Sequence, residues 1–135
     1  MSAERNWAGN ITYSAQRVHR PQSTAEIADI VRGAKKLRAV GSRHSFNTIA
    51  DSDEDLVFMQ GLNKVLSIDP AARTVTVEAG ITYGELSPVL EAAGFALHNL
   101  ASLPHISVVG AVMTATHGSG NANGNLATQV VGLKL

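Results

Sequence analysis

Cysteine is absent from the 135 residues of the chain. That excludes a disulfide scaffold, thiolate zinc sites and thiol nucleophiles. Aromatic residues are scarce, at 4%, which removes the stacking platform that single-stranded nucleic acid needs. Neither charge sign is in excess: eleven Lys and Arg face eleven Asp and Glu. With no polybasic run either, nucleic acid is not an expected partner. No stretch approaches the roughly 20 apolar residues of a membrane span. The opening MSAERNWAGN has no apolar segment of the secretory kind, so a cytoplasmic location without a membrane partner is expected. The Asn10-Ile11-Thr12 sequon is then a chance match. A Walker loop is missing. Gly118-Ser119-Gly120 opens like a dinucleotide fingerprint, but Asn123 takes the third glycine position and no apolar helix follows.

What is present suits one compact domain: 44% of the residues are apolar, enough to bury a core. Residues 1–19 read as an extended polar lead-in packed at its aromatic points, with residues 20–135 as the domain proper. Ser23 and Glu26 have capping-box spacing, and Ile27, Ile30, Val31 and Ala34 lie on one helical face. A short strand, Leu37 to Val40, leads into Gly41-Ser42-Arg43-His44-Ser45-Phe46-Asn47. An acidic surface turn follows at Asp51 to Asp55, then a strand from Leu56 to Met59. A hairpin is expected from Val65–Ile68 and Thr74–Ala79 around Pro70. Thr82 and Glu85 repeat the capping box, Leu86, Val89, Leu90 and Ala93 form the apolar face, and Gly94 offers a left-handed stop. Pro88 inside this helix predicts a kink or a late start. Short strands are expected at Phe95–Leu97 and Val130–Leu135. A chain ending on a strand without turn or cap is expected to be part of a longer polypeptide.

Two segments can carry chemistry. In the first, Gly41 to Asn47, small residues after a strand let successive backbone amides converge on an anion, with Ser42, Ser45 and Asn47 as added donors and Arg43 as added charge. The same residues also suit an ordinary polar loop. The second runs from Ala101 through Ser107, Gly110, Thr114, Thr116, His117, Gly118 and Ser119 to Gly120. Ser107 could cap a short helix whose amides face an anion, or the segment could be a buried helix with a glycine-rich exit. His44, His98, His105 and His117 lack the paired helical spacing of zinc hydrolases and have no carboxylate beside them in the two loops, so no metal is expected. A Ser-His-acid triad has no nucleophile elbow to support it.

The combined order is more specific than either loop: capped helix, strand, GSRHSFN, hairpin, AGITYGEL, helix, ASLPHISVVGAVMTATHGSG, GNLATQV. It resembles the N-terminal FAD domain of the vanillyl-alcohol-oxidase family, within it the bacterial alditol and xylitol oxidases, from about Asn6 to Leu135. The resemblance implies an α+β fold of the FAD-binding type 2 (PCMH-like) class, the first α+β subdomain plus the start of the second. It implies that Gly41 to Asn47 wraps the FAD pyrophosphate and that a ring nitrogen of His44 bonds the flavin 8α carbon; the other possibility is a histidine that packs on the flavin edge. Ser102, Ser107, Gly110, Thr114, Thr116, His117, Gly118 and Ser119 fall on cofactor-contacting positions, Ser102 also near a substrate hydroxyl. Many relatives carry Gly where Arg43 stands; an arginine there implies that the position is not left-handed.

The resemblance further implies oxidation of a terminal CH–OH of a small polyol to an aldehyde, with hydride transfer to flavin and dioxygen reduced to hydrogen peroxide. The main catalytic residues are expected in a C-terminal substrate domain outside this chain, which leaves the chain inactive by itself. Two other readings compete. One is a non-catalytic flavin- or nucleotide-binding module that serves a partner chain. The other is a self-associating structural domain, a homo-oligomer formed through an exposed sheet edge.

Overall fold

Four consecutive residues, Asp55–Phe58, are all buried, as a central strand covered on both faces must be. A computed structural model describes residues 4–135; the first three residues of the lead-in lie outside the described residues. The central strand, β3 (Asp55–Phe58), is flanked by β1 (Arg17–His19) and β2 (Leu37–Val40) in a parallel sheet of order β1-β3-β2. Helix α1 (Thr24–Gly33) makes the crossover from β1 to β2. An antiparallel hairpin follows, β4 (Val65–Asp69) and β5 (Thr74–Val77), then helices α2 (Tyr83–Ala92) and α3 (Val108–Met113).

Local chemistry explains most boundaries. The Ser23 hydroxyl accepts from the Glu26 amide at 3.2 Å. The Glu26 carboxylate, however, reaches the amide of Gln22 at 2.9 Å, one residue before the expected position, so this box is only half closed. At α2 the box is complete between Thr82 and Glu85. The helix therefore starts on time and continues through Pro88, so of the expected kink or late start the late start is corrected. Beyond Ala93, Gly94 has φ +78. The amide of Gly94 donates to Glu91 O and that of Phe95 to Leu90 O, each at 2.9 Å, the paired bonds of a Schellman stop. In the hairpin turn the Asp69 carboxylate accepts from the amides of Ala71 and Ala72.

Three apolar clusters hold these elements. Tyr13 packs against Val40, Leu56 and Phe58 of the parallel sheet. Ile81, Leu86 and Leu90 pack under the hairpin. Tyr83, Ala101, Ala111 and Leu126 pack beneath α3. On α2, Tyr83, Leu86 and Leu90 are the buried positions, while Val89 turns outward. The stripe on α1 is half covered: Ile27 and Ile30 are partly buried and Val31 is exposed.

Three expectations are corrected. Phe95–Leu97 is not a strand; Phe95 completes the helix stop, and Phe95 and Leu97 pack on the Leu86–Leu90 cluster. Val130–Leu135 is not a strand either, because no partner strand lies beside it among the described residues; a 3-10 turn, Leu126–Gln129, precedes it. The turn at Asp51 to Asp55 is not a surface feature throughout: Asp55 is 1% exposed. Its carboxylate accepts from Arg17 Nε at 2.7 Å and Nη2 at 2.6 Å, and lies 2.7 Å from His19 Nε2. The lead-in thus supplies the edge strand β1 and the groups that neutralise a buried acid.

The hydrogen bonds from Arg17, and then those from His19, hold the Asp55 carboxyl below its ordinary value of 3.8. A depressed folded-state pKa contributes stability that is complete above that value and is lost as pH falls below it, where the unfolded state takes up the proton first. The melting temperature of the chain is therefore expected to fall as pH drops below about 4. Asp55→Asn should lower the neutral-pH melting temperature and flatten this acid dependence. An unchanged acid slope in the variant, followed by circular dichroism, would remove Asp55 from this role.

Candidate functional site

The segment Gly41–Asn47 leaves β2 at the carboxyl end of the parallel sheet, the edge where ligands of open α/β sheets bind. Its first residues are pinned from two sides. Gln60 donates to Gly41 O at 2.7 Å, and the Ser42 hydroxyl accepts from the Ser107 amide at 3.2 Å. That second bond joins the two sequence-predicted segments across 65 residues. The approach is close enough that a Cβ on Gly41, or on Gly110, would collide with the Ser107 hydroxyl. A side chain at either place would have to displace the Ser107 hydroxyl, so glycine is favoured there by contact rather than by backbone angle.

Ser107 occupies the N-cap position of α3, but its hydroxyl makes no cap bond, which corrects the expected capping role. The hydroxyl is turned toward Gly41 and Gly110 instead, buried and without a partner. His44 Nε2 is likewise buried and unpaired. Each such atom costs on the order of 1–3 kcal/mol, a cost a bound polar ligand can offset. The backbone amides of Arg43 through Asn47 donate to no backbone carbonyl among the described residues.

Arg43 has φ +61, so the expectation of a non-left-handed arginine is overturned. The conformation costs roughly 1–2 kcal/mol for a residue with a Cβ. It is held in place because the Trp7 amide donates to Arg43 O at 2.8 Å and Arg43 Nη1 donates to Arg5 O at 3.2 Å. Glu4 pairs with both Arg43 and Arg20. The guanidinium is thus committed to the N-terminal segment, while a left-handed residue between neighbours of negative φ turns successive N–H groups toward one side, as an anion nest requires. Asn47 Oδ1 accepts from the Ile49 amide at 3.1 Å and caps a short 3-10 turn. Phe46 is exposed and stands edge-on to His44.

The rest of the second segment lies apart. Thr114, Thr116, His117, Gly118 and Ser119 follow α3, about 9 Å of helix from Ser107. One small anion cannot touch both ends, whereas an extended dinucleotide can. There the Thr114 hydroxyl donates back to Gly110 O at 2.9 Å, and His117 Nδ1 lies 3.0 Å from Gly118 O. Ser102 is exposed beside buried Ala101. Two contributors were not singled out from sequence. Asn6 is buried and donates to Ser45 O at 2.9 Å, and Gln60 sits in a turn; neither lies in a recognisable motif. Among the described residues no three His, Asp or Glu side chains group as metal ligands. No helix among them is long and apolar enough to cross a membrane.

A parallel sheet whose carboxyl end carries glycines and buried polar atoms without partners suits a nucleotide cofactor. The chain belongs to the family described as FAD binding domain, whose model matches residues 15–135. It is 52% identical over 132 residues to an alditol oxidase of a Streptomyces species, covering 96% of this chain and 32% of that protein. It is 40% identical over 134 residues to an L-gulono-1,4-lactone dehydrogenase of Mycobacterium tuberculosis, covering 96% and 31%. The chain therefore spans about a third of the length of these curated relatives. Among solved structures, cholesterol oxidase from Brevibacterium sterolicum superposes with a TM-score of 0.72 at 19% identity, over 87% of this chain and 24% of that one. The fold is that of an FAD-binding type 2 domain, with mixed helix and sheet, and FAD is its cofactor. The orphaned Ser107 hydroxyl and His44 nitrogen, and the two glycines without room for a Cβ, fit such a ligand.

A buried hydroxyl without a partner is a stability cost. Ser107→Ala is expected to raise the thermal stability of the flavin-free chain by about 1 kcal/mol while weakening its uptake of added FAD. Gly41→Ala should lower stability by about 1–3 kcal/mol through overpacking against Ser107. Thermal unfolding and flavin-fluorescence titration read both effects, and a destabilised Ser107→Ala would contradict the assignment.

Proposed function

We propose that the chain is the flavin-binding part of an oxidoreductase acting on the CH–OH group of small polyols, with dioxygen as acceptor and hydrogen peroxide as product. The observation that carries this reading is the 52% identity to an alditol oxidase. Residues 20–135 are the N-terminal part of its FAD-binding domain, and a substrate domain supplying the main catalytic groups belongs to the rest of a longer polypeptide. The protein is cytoplasmic in this reading, and the open outer edges of β1 and β2 leave room for a homo-oligomer.

FAD, when bound, supplies the hydride acceptor and passes the electrons to dioxygen. The chain's own residues bind and orient. The amides after Gly41, with the Ser42 and Ser45 hydroxyls, hold the pyrophosphate, Arg43 serving through its backbone. Ser107 and Gly110 line the same cradle, and Thr114 to Ser119 contact the far part of the cofactor. Ser102 is the substrate-contact candidate. His44 carries the covalent link, a role supported by its buried ring nitrogen beside the cradle.

The 40% identity to a lactone dehydrogenase favours a second reading, a sugar lactone substrate without dioxygen as acceptor. Peroxide formation by the full-length protein with xylitol against L-gulono-1,4-lactone separates the two. For the cofactor, the absorption spectrum is taken before and after acid precipitation. Yellow colour held in the pellet, and lost in His44→Ala, is the expected result. Colour released to the supernatant leaves FAD binding intact and removes the covalent link. The 135-residue chain alone is expected to oxidise no alditol.

A further inference from the structure

The Trp7 side chain takes no part in the contacts that hold Arg43, yet its placement is specific. It is 57% exposed, but its indole stacks on His44 with centroids 4.4 Å apart and planes 27° from parallel. It also stacks on His105 at 5.6 Å and 18°. His44 and His105 lie 5.0 Å apart. Three rings from segments distant in sequence thus form one cluster, with Phe46 edge-on to His44 at 5.3 Å.

The segment carrying Trp7 is tied to the backbone on both sides of His44. The Trp7 amide donates to Arg43 O at 2.8 Å, and Asn6 Nδ2 donates to Ser45 O at 2.9 Å. Asn6 is itself braced by Asn10 at 2.8 Å and by the Ile11 amide at 3.0 Å. An imidazole on a surface loop ordinarily samples several χ1 and χ2 states. Here its neighbours' carbonyls are fixed, one face is covered by an indole, and a second imidazole closes one side. These contacts restrict the ring's rotation, and its Nε2 is buried.

We infer that Trp7 and His105 are positioning residues for the covalent attachment of flavin at His44, an inference that rests on the attachment proposed above. In that attachment an imidazole nitrogen bonds the flavin 8α carbon. One C–H and one N–H bond break, and the two electrons and two protons pass to the flavin ring and from it to dioxygen, which becomes hydrogen peroxide. The clamp removes the ring's rotational search before that bond forms, so it sets the rate of attachment and not the strength of initial FAD binding.

The test adds FAD to flavin-free full-length protein and follows acid-stable flavin with time. Trp7→Leu and His105→Asn are expected to slow its appearance about tenfold with total bound flavin unchanged, and Trp7→Phe, which keeps an aromatic face, to retain most of the rate. In the flavin-free protein the His44 Cε1–H proton resonance, assigned by its absence in His44→Ala, should move downfield in Trp7→Leu as the indole ring current is lost. If the parent protein forms no acid-stable flavin, the attachment reading fails and this inference falls with it. If the parent does and both variants match its rate, the inference alone is overturned. Should Trp7→Leu not fold, a wild-type rate in His105→Asn is sufficient to overturn it.

Discussion

The buried carboxylate of Asp55 is the constraint on which the sheet depends. It stands at the head of the central strand, where its backbone amide donates to Lys36 O, just before β2, at 3.1 Å. Its side chain takes Arg17 and His19 from β1. One residue therefore ties the central strand to both neighbours and sets their register, since Arg17 and Leu37 are both its Cα partners. A buried charge satisfied on every side is costly to move. The carboxyl end of β2, where the Gly41–Asn47 segment begins, is positioned by that register.

From there the site is assembled by bonds between distant segments. Ser42 meets Ser107, Gln60 meets Gly41, and the N-terminal segment meets Arg43 and Ser45. Two buried atoms without partners, Ser107 Oγ and His44 Nε2, belong to the segments so joined. The left-handed Arg43 belongs to the same arrangement: contacts with the N-terminal segment hold it, and the amides of residues 43–47 donate to no backbone carbonyl among the described residues.

Legibility followed the range of the interaction. The Thr82–Glu85 box and the Gly94 stop act over a few residues, and both stand where the sequence places them. The strand periods of β2, β3 and the hairpin were equally readable. Phe95–Leu97 and Val130–Leu135 carry strand-like composition, but a strand exists only with a partner, and composition cannot supply one. Asp55 looks like part of an acidic turn because its partners are 36 and 38 residues away. The Ser107 hydroxyl suits a cap by local rules, yet a contact with Gly41 claims it.

By itself, then, the sequence determined the first two helices, the Thr82–Glu85 box, the Gly94 stop and the hairpin, since these rest on hydrogen bonds and apolar spacing within a turn or two of the chain. Tertiary structure decided which of those residues meet. It brought Ser107 against Gly41, gave Arg43 a left-handed backbone and set Trp7 and His105 around His44. Each of those outcomes needs contacts between segments far apart in sequence, which no local preference encodes.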